Sequence, residues 1–386
     1  MAIRERAIPI SRYVDPTLPS GGLTTSIVAI TTDVVRDGKP VVGYGFSSIG
    51  RYAQSGLIRE RFAPRLLDAE PTLDPFQAWD AMMKGEKPGG HGERCVAVGT
   101  LDMALWDAAA KIAGVPLHRH LRDRVPQTGR VTGTIAIYAG GGYVYPHDDI
   151  ARLREEVLAL LDAGYTRIKI KIGALPIKRD LQRIEAVLEL LPSGDRLAVD
   201  AMNAYSAEQA RTVAAALEPY GLWWFEDICD PLDLETHARV AERYSGALAA
   251  GEALFSRAEA VLLQRYGGLR PRREILLFDP VHCYGLVGYL QIIDAFDNGG
   301  WPRSAFWPHG GHLIGQHVVA AFGLGGAEVN PRSFAPFGGV ADDAVIRDGR
   351  VAVLDAPGIG FERKADLFRL FRELELSDPL TRAPSL

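Results

Sequence analysis

The most constraining feature of this sequence is a series of short apolar runs that recur at near-constant intervals, each ending in an ionisable residue. The residues at the ends are Lys171, Asp200, Glu226, Glu252, Asp279 and His309. Amphipathic segments with helical spacing, among them 149–162, 207–217 and 257–266, separate the runs. This alternation of strand and helix predicts a parallel sheet. We expect eight strands, near residues 131–138, 167–172, 196–200, 222–226, 247–252, 274–279, 303–307 and 326–329. Eight strands are enough to close a barrel.

The N-terminal third has a different pattern, in which strand-like runs precede helical ones. The strand-like runs cover 25–33 and 41–46, and helical periodicity follows at 57–67, 74–83 and 96–112. This order predicts an α+β domain. We therefore expect an α/β protein in which a (β/α)8-type barrel over residues 126–350 holds the catalytic and metal site. Residues 1–125 and the tail 351–386 are expected to form an α+β capping domain.

Charge and apolar content exclude several classes of partner. The 386 residues include 48 acidic and 43 basic ones, for a formal net charge of −5, and no basic stripe suits a nucleic acid. No run of eighteen apolar residues occurs, so no membrane span is expected. With no apolar leader at the start and three cysteines, too few for a disulfide framework, the expected setting is cytoplasmic.

Three carboxylates from successive units, Asp200, Glu226 and Glu252, are expected at one mouth of the barrel. Carboxylates at close range repel one another unless a cation neutralises them, and an all-oxygen set suits Mg2+. Any one of these acids could instead cap a helix or form a loop salt bridge. Three at corresponding positions favour a magnesium site.

The segment Arg167-Ile-Lys-Ile-Lys-Ile172 places Lys169 and Lys171 on the same face of a strand. The isoleucines between them must pack against helices, so the lysines are expected inside the barrel. A like-charged neighbour and a nearby cation both lower the pKa of a lysine, which would make Lys171 a general base. Either lysine could alternatively be a structural residue that is neutralised by carboxylates.

Asp279 and His309 end consecutive units and are expected to pair. A carboxylate on one ring nitrogen fixes the tautomer and leaves the other nitrogen as an acid or base. His312, three residues later, is expected to be a loop residue or a helix cap, and a zinc site formed by the two histidines is disfavoured by the carboxylate set. Glu328, at the end of the eighth run, is interpreted as a substrate contact or a barrel salt bridge.

Together these residues resemble the enolase superfamily, and within it the mandelate racemase group. The residues that carry the resemblance are Lys169-Ile-Lys171, Asp200-Ala-Met-Asn203, Glu226, Gly251-Glu252, Asp279 and His309, and the likeness extends over essentially the whole chain. It implies a lysine base with a magnesium-stabilised enediolate, a known pattern of that superfamily. It also implies that Asn203 binds substrate and that the protein is a homo-oligomer. The fourth strand departs from the group, because Glu226-Asp-Ile-Cys-Asp-Pro231 delays the usual proline. Asp227 is expected to point away from Glu226 if the strand continues, so it is not assigned to the metal.

Three further segments resemble the D-tartrate dehydratases of this group: Lys87–Arg94, Leu101–Trp106 and Trp307–His312. The implied reaction is the dehydration of a 2,3-dihydroxy acid, D-tartrate giving oxaloacetate and water. Lys171 would take the C2 proton, and His309 with Asp279 would assist loss of the C3 hydroxyl. The loop 85–92, which we call the lid loop, offers Lys87 as a cationic contact for the second carboxylate, and Arg51 is a further candidate.

Other functions remain open from the sequence. The same lysine and histidine could dehydrate another acid sugar, or could racemise or epimerise a 2-hydroxy acid. Lys171 could form a Schiff base in a metal-independent lyase. The barrel could also be a non-catalytic scaffold, which the set of ionisable strand ends disfavours.

Overall fold

The computed structural model describes residues 1–10, 23–47, 52–69, 74–125 and 133–381. Its N-terminal part is an antiparallel sheet in the order β1-β2-β3, followed by five helices. The strands are β1 (Ala2–Pro9), β2 (Thr24–Arg36) and β3 (Lys39–Phe46). The helices are α1 (Ser55–Leu57), α2 (Ala63–Asp68), α3 (Pro75–Met83), α4 (Glu93–Ala113) and α5 (Leu117–Arg124), with a π-helical turn at Ile58–Phe62 joining the first two.

Strand β1 was not predicted, because a charged residue occupies a position where strand alternation calls for an apolar one. Glu5 is buried, and its carboxylate accepts hydrogen bonds from Ser26 Oγ at 2.7 Å and from Arg59 Nε at 2.6 Å. A buried charge is tolerated when it is paired in this way. The pairing partners come from distant segments, so the sequence of β1 alone gives no sign of them.

The second part alternates strands and helices as predicted. The strands are β4 (Thr134–Gly141), β5 (Ile168–Lys171), β6 (Leu197–Asp200), β7 (Trp224–Glu226), β8 (Leu248–Ala250), β9 (Ile275–Leu276), β10 (Ala327–Val329) and β11 (Arg350–Ala352). The helices are α6 (Asp149–Asp162), α7 (Ile177–Leu188), α8 (Ala207–Leu217), α9 (Leu234–Ala241), α10 (Arg257–Tyr266), α11 (Gly285–Asn298), α12 (Leu313–Phe322) and α13 (Ala365–Glu375). The sheet has the order β10-β4-β5-β6-β7-β8-β9, and β11 pairs antiparallel with β4.

The seventh predicted strand, at 303–307, is wrong as a regular strand. Arg303–Ala305 form a 3-10 turn, and Phe306 makes only an isolated parallel bridge to Leu276. Prolines at 302 and 308 flank this stretch, and because proline lacks an N–H group it shortens any ladder of hydrogen bonds. The gap between β9 and β10 is still closed, since Trp307 N donates to Leu276 O and Glu328 N donates to Pro308 O.

The side chains of the barrel strands follow the predicted alternation. Ile168, Ile170 and Ile172 belong to the large apolar core, while Lys169 points into the barrel and is fully buried. Below Lys169, the interior is filled by aromatic side chains, including Tyr138. The interior is thus a packed core with charged groups at one end, and the predicted fold class is confirmed.

The C-terminal helix returns to the N-terminal sheet, as expected from the sequence. In α13, the ring of Phe371 stacks on Tyr44 of β3 with centroids 4.6 Å apart, and Leu370 O accepts a hydrogen bond from Arg6 of β1. The predicted boundary between barrel and tail, at 350/351, falls within β11.

Helix α4 packs directly against the barrel loop that follows β9. Asp102 of α4 is fully buried, and its Oδ2 accepts a hydrogen bond from Leu286 N, in the first turn of α11, at 2.7 Å. A side chain on Gly285 would collide with the same carboxylate, since a Cβ there would lie 2.3 Å from Asp102 Oδ2. An acid of the capping domain therefore caps a helix of the barrel.

Within the described residues, no helix is both long and apolar enough to cross a bilayer.

Candidate active site

Adjacent barrel strands end in the predicted ionisable residues, and the sheet register sets them side by side. Lys171 is the Cα partner of Asp200, and Asp200 is the partner of Glu226. Glu252 follows β8 after Gly251, which has a φ of +122°, a conformation that favours glycine. The three carboxylates each offer an oxygen atom within 4.8 Å of the others.

This carboxylate set fits a divalent cation by its chemistry. All three donors are oxygen atoms, which Mg2+ prefers, and Asp200 and Glu226 are buried while the Glu252 side chain is 24% exposed. Five carboxyl groups surround two lysines at this mouth: Asp200, Glu226, Asp227, Glu252 and Glu328 around Lys169 and Lys171. Burial and the neighbouring Asp200 raise the pKa of Glu226 well above its usual range. Such a surplus of buried negative charge is what a bound cation would balance.

Lys169 is held by three carboxylates. Its Nζ lies 2.6 Å from Glu226 Oε1, 3.0 Å from Glu328 Oε1 and 3.5 Å from Asp200 Oδ2. Burial alone would lower the pKa of Lys169, but the attraction of Glu226 and Glu328 outweighs it and raises the pKa well above the ordinary value. Lys169 is therefore a fixed positive charge on the floor of the site.

Lys171 has fewer ionic contacts and a partly open environment. Its Nζ donates to Asp200 Oδ2, and it lies 5.6 Å from the centroid of the Tyr143 ring. The sequence predicted a lowered pKa for Lys171, and in the protein alone this is wrong. Burial does disfavour the charged amine, but the Asp200 carboxylate outweighs burial and the repulsion of Lys169, so the pKa is raised.

The backbone leaves the strand direction immediately after Glu226, which brings Asp227 back toward the site. Asp227 has a φ of +47°, is buried, and its pKa is raised well above the usual value by burial and by the nearby Glu252 and Asp200. Asn203, also left-handed with a φ of +59°, donates from Nδ2 to Asp227 Oδ2 at 3.1 Å. The expectation that Asp227 points away assumed a longer strand, and the early strand end explains the difference.

His309 and Asp279 form the expected pair, since His309 Nδ1 lies 3.1 Å from Asp279 Oδ2. The other ring nitrogen, Nε2, lies 3.3 Å from Glu252 Oε1 and 3.8 Å from Glu328 Oε2. Burial opposes protonation, but Glu252, Glu328 and the hydrogen bond to Asp279 raise the pKa of His309 to about 9. A raised pKa favours the protonated imidazole, the form that can act as an acid.

Glu328 lies between the lysine and the histidine. Besides its ion pair with Lys169, its Oε2 accepts a hydrogen bond from Gly310 N at 3.0 Å. Although burial favours the neutral acid, Lys169 and His309 hold the pKa of Glu328 at about 2. Both interpretations from the sequence stay compatible with these contacts, because the salt bridge is present and the carboxylate faces the site.

The site contains three residues that the sequence reasoning missed. His312, expected as a loop residue or a helix cap, precedes α12 at its N-cap position, but its side chain contacts Asp279. His282 lies beside His309 with ring centroids 5.5 Å apart. Tyr143, in the loop after β4, faces Lys171. The short spacing from His309 to His312 was visible in the sequence, whereas the turn that brings both rings to one carboxylate was not. Asp279, His282 and His309 also offer atoms within metal-ligand range of one another.

The lid loop carries Lys87 as an exposed residue. At its base, Glu86 accepts hydrogen bonds from Arg61 and Arg65, and at its far end His91 Nδ1 lies 3.0 Å from the hydroxyl of Tyr284. The loop is thus tied to the capping helices on one side and to the barrel loop after Asp279 on the other. The remaining predicted contact, Arg51, lies outside the described residues.

Comparison with known proteins defines the class to which this fold and site belong. The family model described as "Enolase C-terminal domain-like" matches residues 152–367, which is more than half of the chain. The chain therefore belongs to the enolase superfamily, in the branch that includes mandelate racemase.

Particular relatives in this superfamily act on acid sugars. An arabinonate dehydratase of Saccharolobus solfataricus is 28% identical over 357 residues, which cover 91% of this chain and 92% of the relative. A 3,6-anhydro-alpha-L-galactonate cycloisomerase of Streptomyces coelicolor is 27% identical, covering 85% and 87%. The crystal structure of L-talarate dehydratase from Polaromonas sp. JS666, complexed with Mg and L-glucarate, is 27% identical, covers 93% of each chain and superposes with a TM-score of 0.73.

Proposed function

We propose that this protein is a Mg2+-dependent dehydratase of a 2,3-dihydroxy acid, with D-tartrate as the substrate and oxaloacetate and water as products. The observation that carries the proposal is the placement of an amine and an imidazole on opposite sides of one carboxylate set. Lys171 contacts Asp200, whereas His309 contacts Glu252, and Glu226 lies between these two carboxylates in the sheet order. A base and an acid on opposite sides suit an anti elimination.

Asp200, Glu226 and Glu252 would hold the magnesium ion. An ion held there would supply the positive charge that the enediolate of the substrate requires. It would also bind the Asp200 carboxylate, which would then attract the Lys171 ammonium group less strongly. The support from relatives is the magnesium in the talarate dehydratase complex.

Lys171 removes the C2 proton, and the electron pair of the C2–H bond moves into the enediolate. Lys169 is less suited to this role, because three carboxylates hold its proton, whereas Lys171 is paired with Asp200, whose charge a bound magnesium ion would share. Its ammonium group would instead donate a hydrogen bond to the substrate carboxylate. The different roles of the two lysines, Lys171 as the base and Lys169 as a hydrogen-bond donor, follow from how many carboxylates each amine contacts.

His309 donates a proton to the C3 hydroxyl as the C3–O bond breaks, so that water leaves and an enol forms. The enol then takes its proton at C3 and becomes the 2-keto acid. Asp279 holds the imidazole with the proton on Nδ1, which leaves Nε2 facing the carboxylates and the substrate. Glu328 and Asn203 would contact substrate hydroxyl or carboxyl groups.

The choice of tartrate rests on the lid loop, whose sequence resembles that of D-tartrate dehydratases. Lys87 is exposed and would reach the second carboxylate of a four-carbon diacid on lid closure. Arg51 is the second candidate for this contact. A longer monocarboxylate, such as arabinonate, would have no second carboxylate to engage either residue.

A turnover screen tests the proposal. The purified protein with Mg2+ is incubated with D-, L- and meso-tartrate and with a set of aldonates and aldarates, and 2-keto acid formation is measured. We expect D-tartrate to be dehydrated fastest. If an aldonate or aldarate is dehydrated and the tartrates are not, the protein is still a dehydratase, but the assignment of D-tartrate as its substrate is wrong.

A second candidate is racemisation or epimerisation of a 2-hydroxy acid by the same two residues. The observation that favours it is the presence of proton-transfer groups on both sides of the site. Polarimetry together with the 2-keto acid assay separates the two reactions, because only a dehydratase consumes the hydroxyl group.

We also expect a homo-oligomer, which light scattering would detect.

A further inference from the structure

Two histidines share one oxygen atom of Asp279. His312 Nε2 lies 3.2 Å from Asp279 Oδ2, the same atom that lies 3.1 Å from His309 Nδ1. The turn between the histidines depends on Gly310, which has a φ of +101°. A Cβ on Gly310 would lie 2.2 Å from His312 Nε2 and 2.4 Å from Asp279 Oδ2. The His-Gly-Gly-His sequence therefore builds a compact clamp around one carboxylate.

The proton positions in this clamp follow from the acceptor. Asp279 is fully buried, and nearby histidines hold its pKa well below the usual range despite the cost of burial, so the carboxylate is ionised and only accepts hydrogen bonds. Both ring nitrogens that face Oδ2 must then carry a proton. The other oxygen, Oδ1, accepts from Val281 N at 2.6 Å. Both oxygens of Asp279 are thus engaged, and the carboxylate has a fixed orientation.

His312 does not serve the helix that it precedes. It occupies the N-cap position of α12, but its side chain makes no capping hydrogen bond, and it is only 4% exposed. A cap would be served as well by serine or aspartate. The buried imidazole is turned toward Asp279, whose Oδ2 also contacts His309, the acid of the proposed reaction.

We propose that His312 is a positioning residue, which holds the Asp279 carboxylate so that His309 keeps its tautomer and its direction toward the leaving hydroxyl. The inference rests on the proposed dehydration, in which His309 is the acid. His312 acts through Asp279 and does not touch the substrate. Removal of His312 would take away one of the two imidazole donors to Asp279 Oδ2, so the orientation of His309 would be less strictly held while Lys171 keeps its own.

The two half-reactions separate these effects. Loss of the acid blocks departure of the C3 hydroxyl, but Lys171 still removes the C2 proton and returns deuterium from D2O. For His312→Ala with D-tartrate and Mg2+, we expect dehydration to fall by about 10- to 100-fold, the loss typical for removal of an outer hydrogen-bond partner. Deuterium in the remaining substrate should rise relative to product. His312→Gln, whose amide N–H can reach Asp279, should restore most of the wild-type ratio.

The matched control is His317→Gln, on the same helix. His317 pairs with His118 through nitrogens 3.2 Å apart and does not contact Asp279. We expect this variant to lose stability but to keep the wild-type ratio of exchange to dehydration. If His312→Ala lowers exchange and dehydration equally, and His312→Gln does not restore the ratio, the positioning role is wrong.

A second measurement does not depend on turnover. In 15N-edited NMR of the imidazole side chains, the wild-type protein should show a hydrogen-bonded N–H at Nδ1 of His309, and His312→Ala should lose this signal while His312→Gln keeps it. If no hydroxy acid is turned over, the proposed function fails, yet this spectrum still decides whether His312 orients His309. An unchanged His309 signal in His312→Ala would overturn the inference.

Discussion

The ammonium group of Lys169 lies 2.6 Å from Glu226 Oε1, across two strands and 57 positions of sequence. This ion pair distinguishes two lysines that the sequence presents as equivalent. Lys169 is fully buried among carboxylates, whereas the side chain of Lys171 is 13% exposed and, among the described residues, forms an ion pair with one carboxylate, Asp200. The amine with the fewer anionic partners is the one that can give up its proton.

Replacing Lys171 with methionine should abolish C2 proton exchange in D2O and lower dehydration by at least 10²-fold, the lower end of the contribution of a general base. The fold should be retained, because methionine keeps the apolar stem. Proton exchange is measured by NMR, and the fold by circular dichroism. Lys178→Met, at an exposed position of α7, is the control and should leave both rates unchanged. Exchange at the wild-type rate in Lys171→Met would exclude Lys171 as the base.

Magnesium should stabilise the protein through the three carboxylates. Binding to the native state alone adds about 2.7 kcal/mol when the free ion is at 100 times its Kd. Glu252→Gln removes one anionic ligand, and we expect it to abolish the rise of Tm with Mg2+, whereas Glu208→Gln, exposed on α8, should not. Differential scanning calorimetry with and without EDTA measures the effect. An equal Mg2+-dependent rise in Glu252→Gln would place the ion elsewhere.

Lys87 should contribute to substrate binding and not to stability. Lys87→Met removes the proposed contact with the second carboxylate, so we expect KM for D-tartrate to rise by about 10-fold, corresponding to about 1.4 kcal/mol. Lys84→Met, three residues earlier and also exposed, is the control for the loss of one positive charge near the mouth. Steady-state kinetics decide the matter. Equal effects of the two variants would show a general electrostatic contribution.

The buried pair His118 and His317 should make stability depend on pH. Burial, followed by repulsion from His118, lowers the pKa of His317 to about 3, well below its value of about 6.5 in an unfolded chain. Between these values the unfolded state binds the proton and the folded state does not, so stability falls as pH falls from 6.5 toward 3. Between pH 7 and pH 5, the loss should be about 2 kcal/mol for this residue. Urea unfolding at both pH values measures the free energy of unfolding. In His317→Gln, its decrease from pH 7 to pH 5 should be smaller than in the wild-type protein by that amount.

Arg183 should anchor the strand ends that carry the base. Its guanidinium is fully buried and donates to Lys171 O at 2.5 Å and to Gly142 O at 2.7 Å, and it pairs with Asp149 at 3.0 Å. Arg183→Met should lower the free energy of unfolding by about 3 to 5 kcal/mol, because one buried partner is removed. Arg183→Lys should recover only part of this, since lysine lacks the planar fork. Equilibrium unfolding in urea measures both, and a loss below 1 kcal/mol would contradict the anchoring role.

The sequence predicts those parts of the fold in which the spacing of apolar residues matches the burial of each position in the folded protein. Helices α6, α8 and α10 have the bounds that the periodicity predicts. Strand β1 and the seventh barrel position were not predictable in the same way. In β1 a buried Glu5 replaces the expected apolar residue, and at 303–307 two prolines reduce the strand to a single bridge.

The candidate site shows the same division. Strand-end positions placed Asp200, Glu226 and Lys171 together, because the register of a parallel sheet follows from the spacing of its units. The positions of Asp227 and His312 depend instead on single backbone turns, the left-handed Asp227 and the glycine at 310. Turns of this kind change the direction of a side chain, but they do not alter the periodic spacing of apolar residues from which strands and helices are predicted.

The hydrogen bond from Leu286 N to Asp102 has a consequence for engineering and for evolution. Since the capping domain supplies the acceptor at the start of α11, the barrel is not a detachable module. A chimera that joins this barrel to a foreign cap must provide an equivalent carboxylate, or an N–H group buried at that interface loses its partner. Recombination within the superfamily is therefore expected to exchange α4 and the loop around Tyr284 as one inherited block.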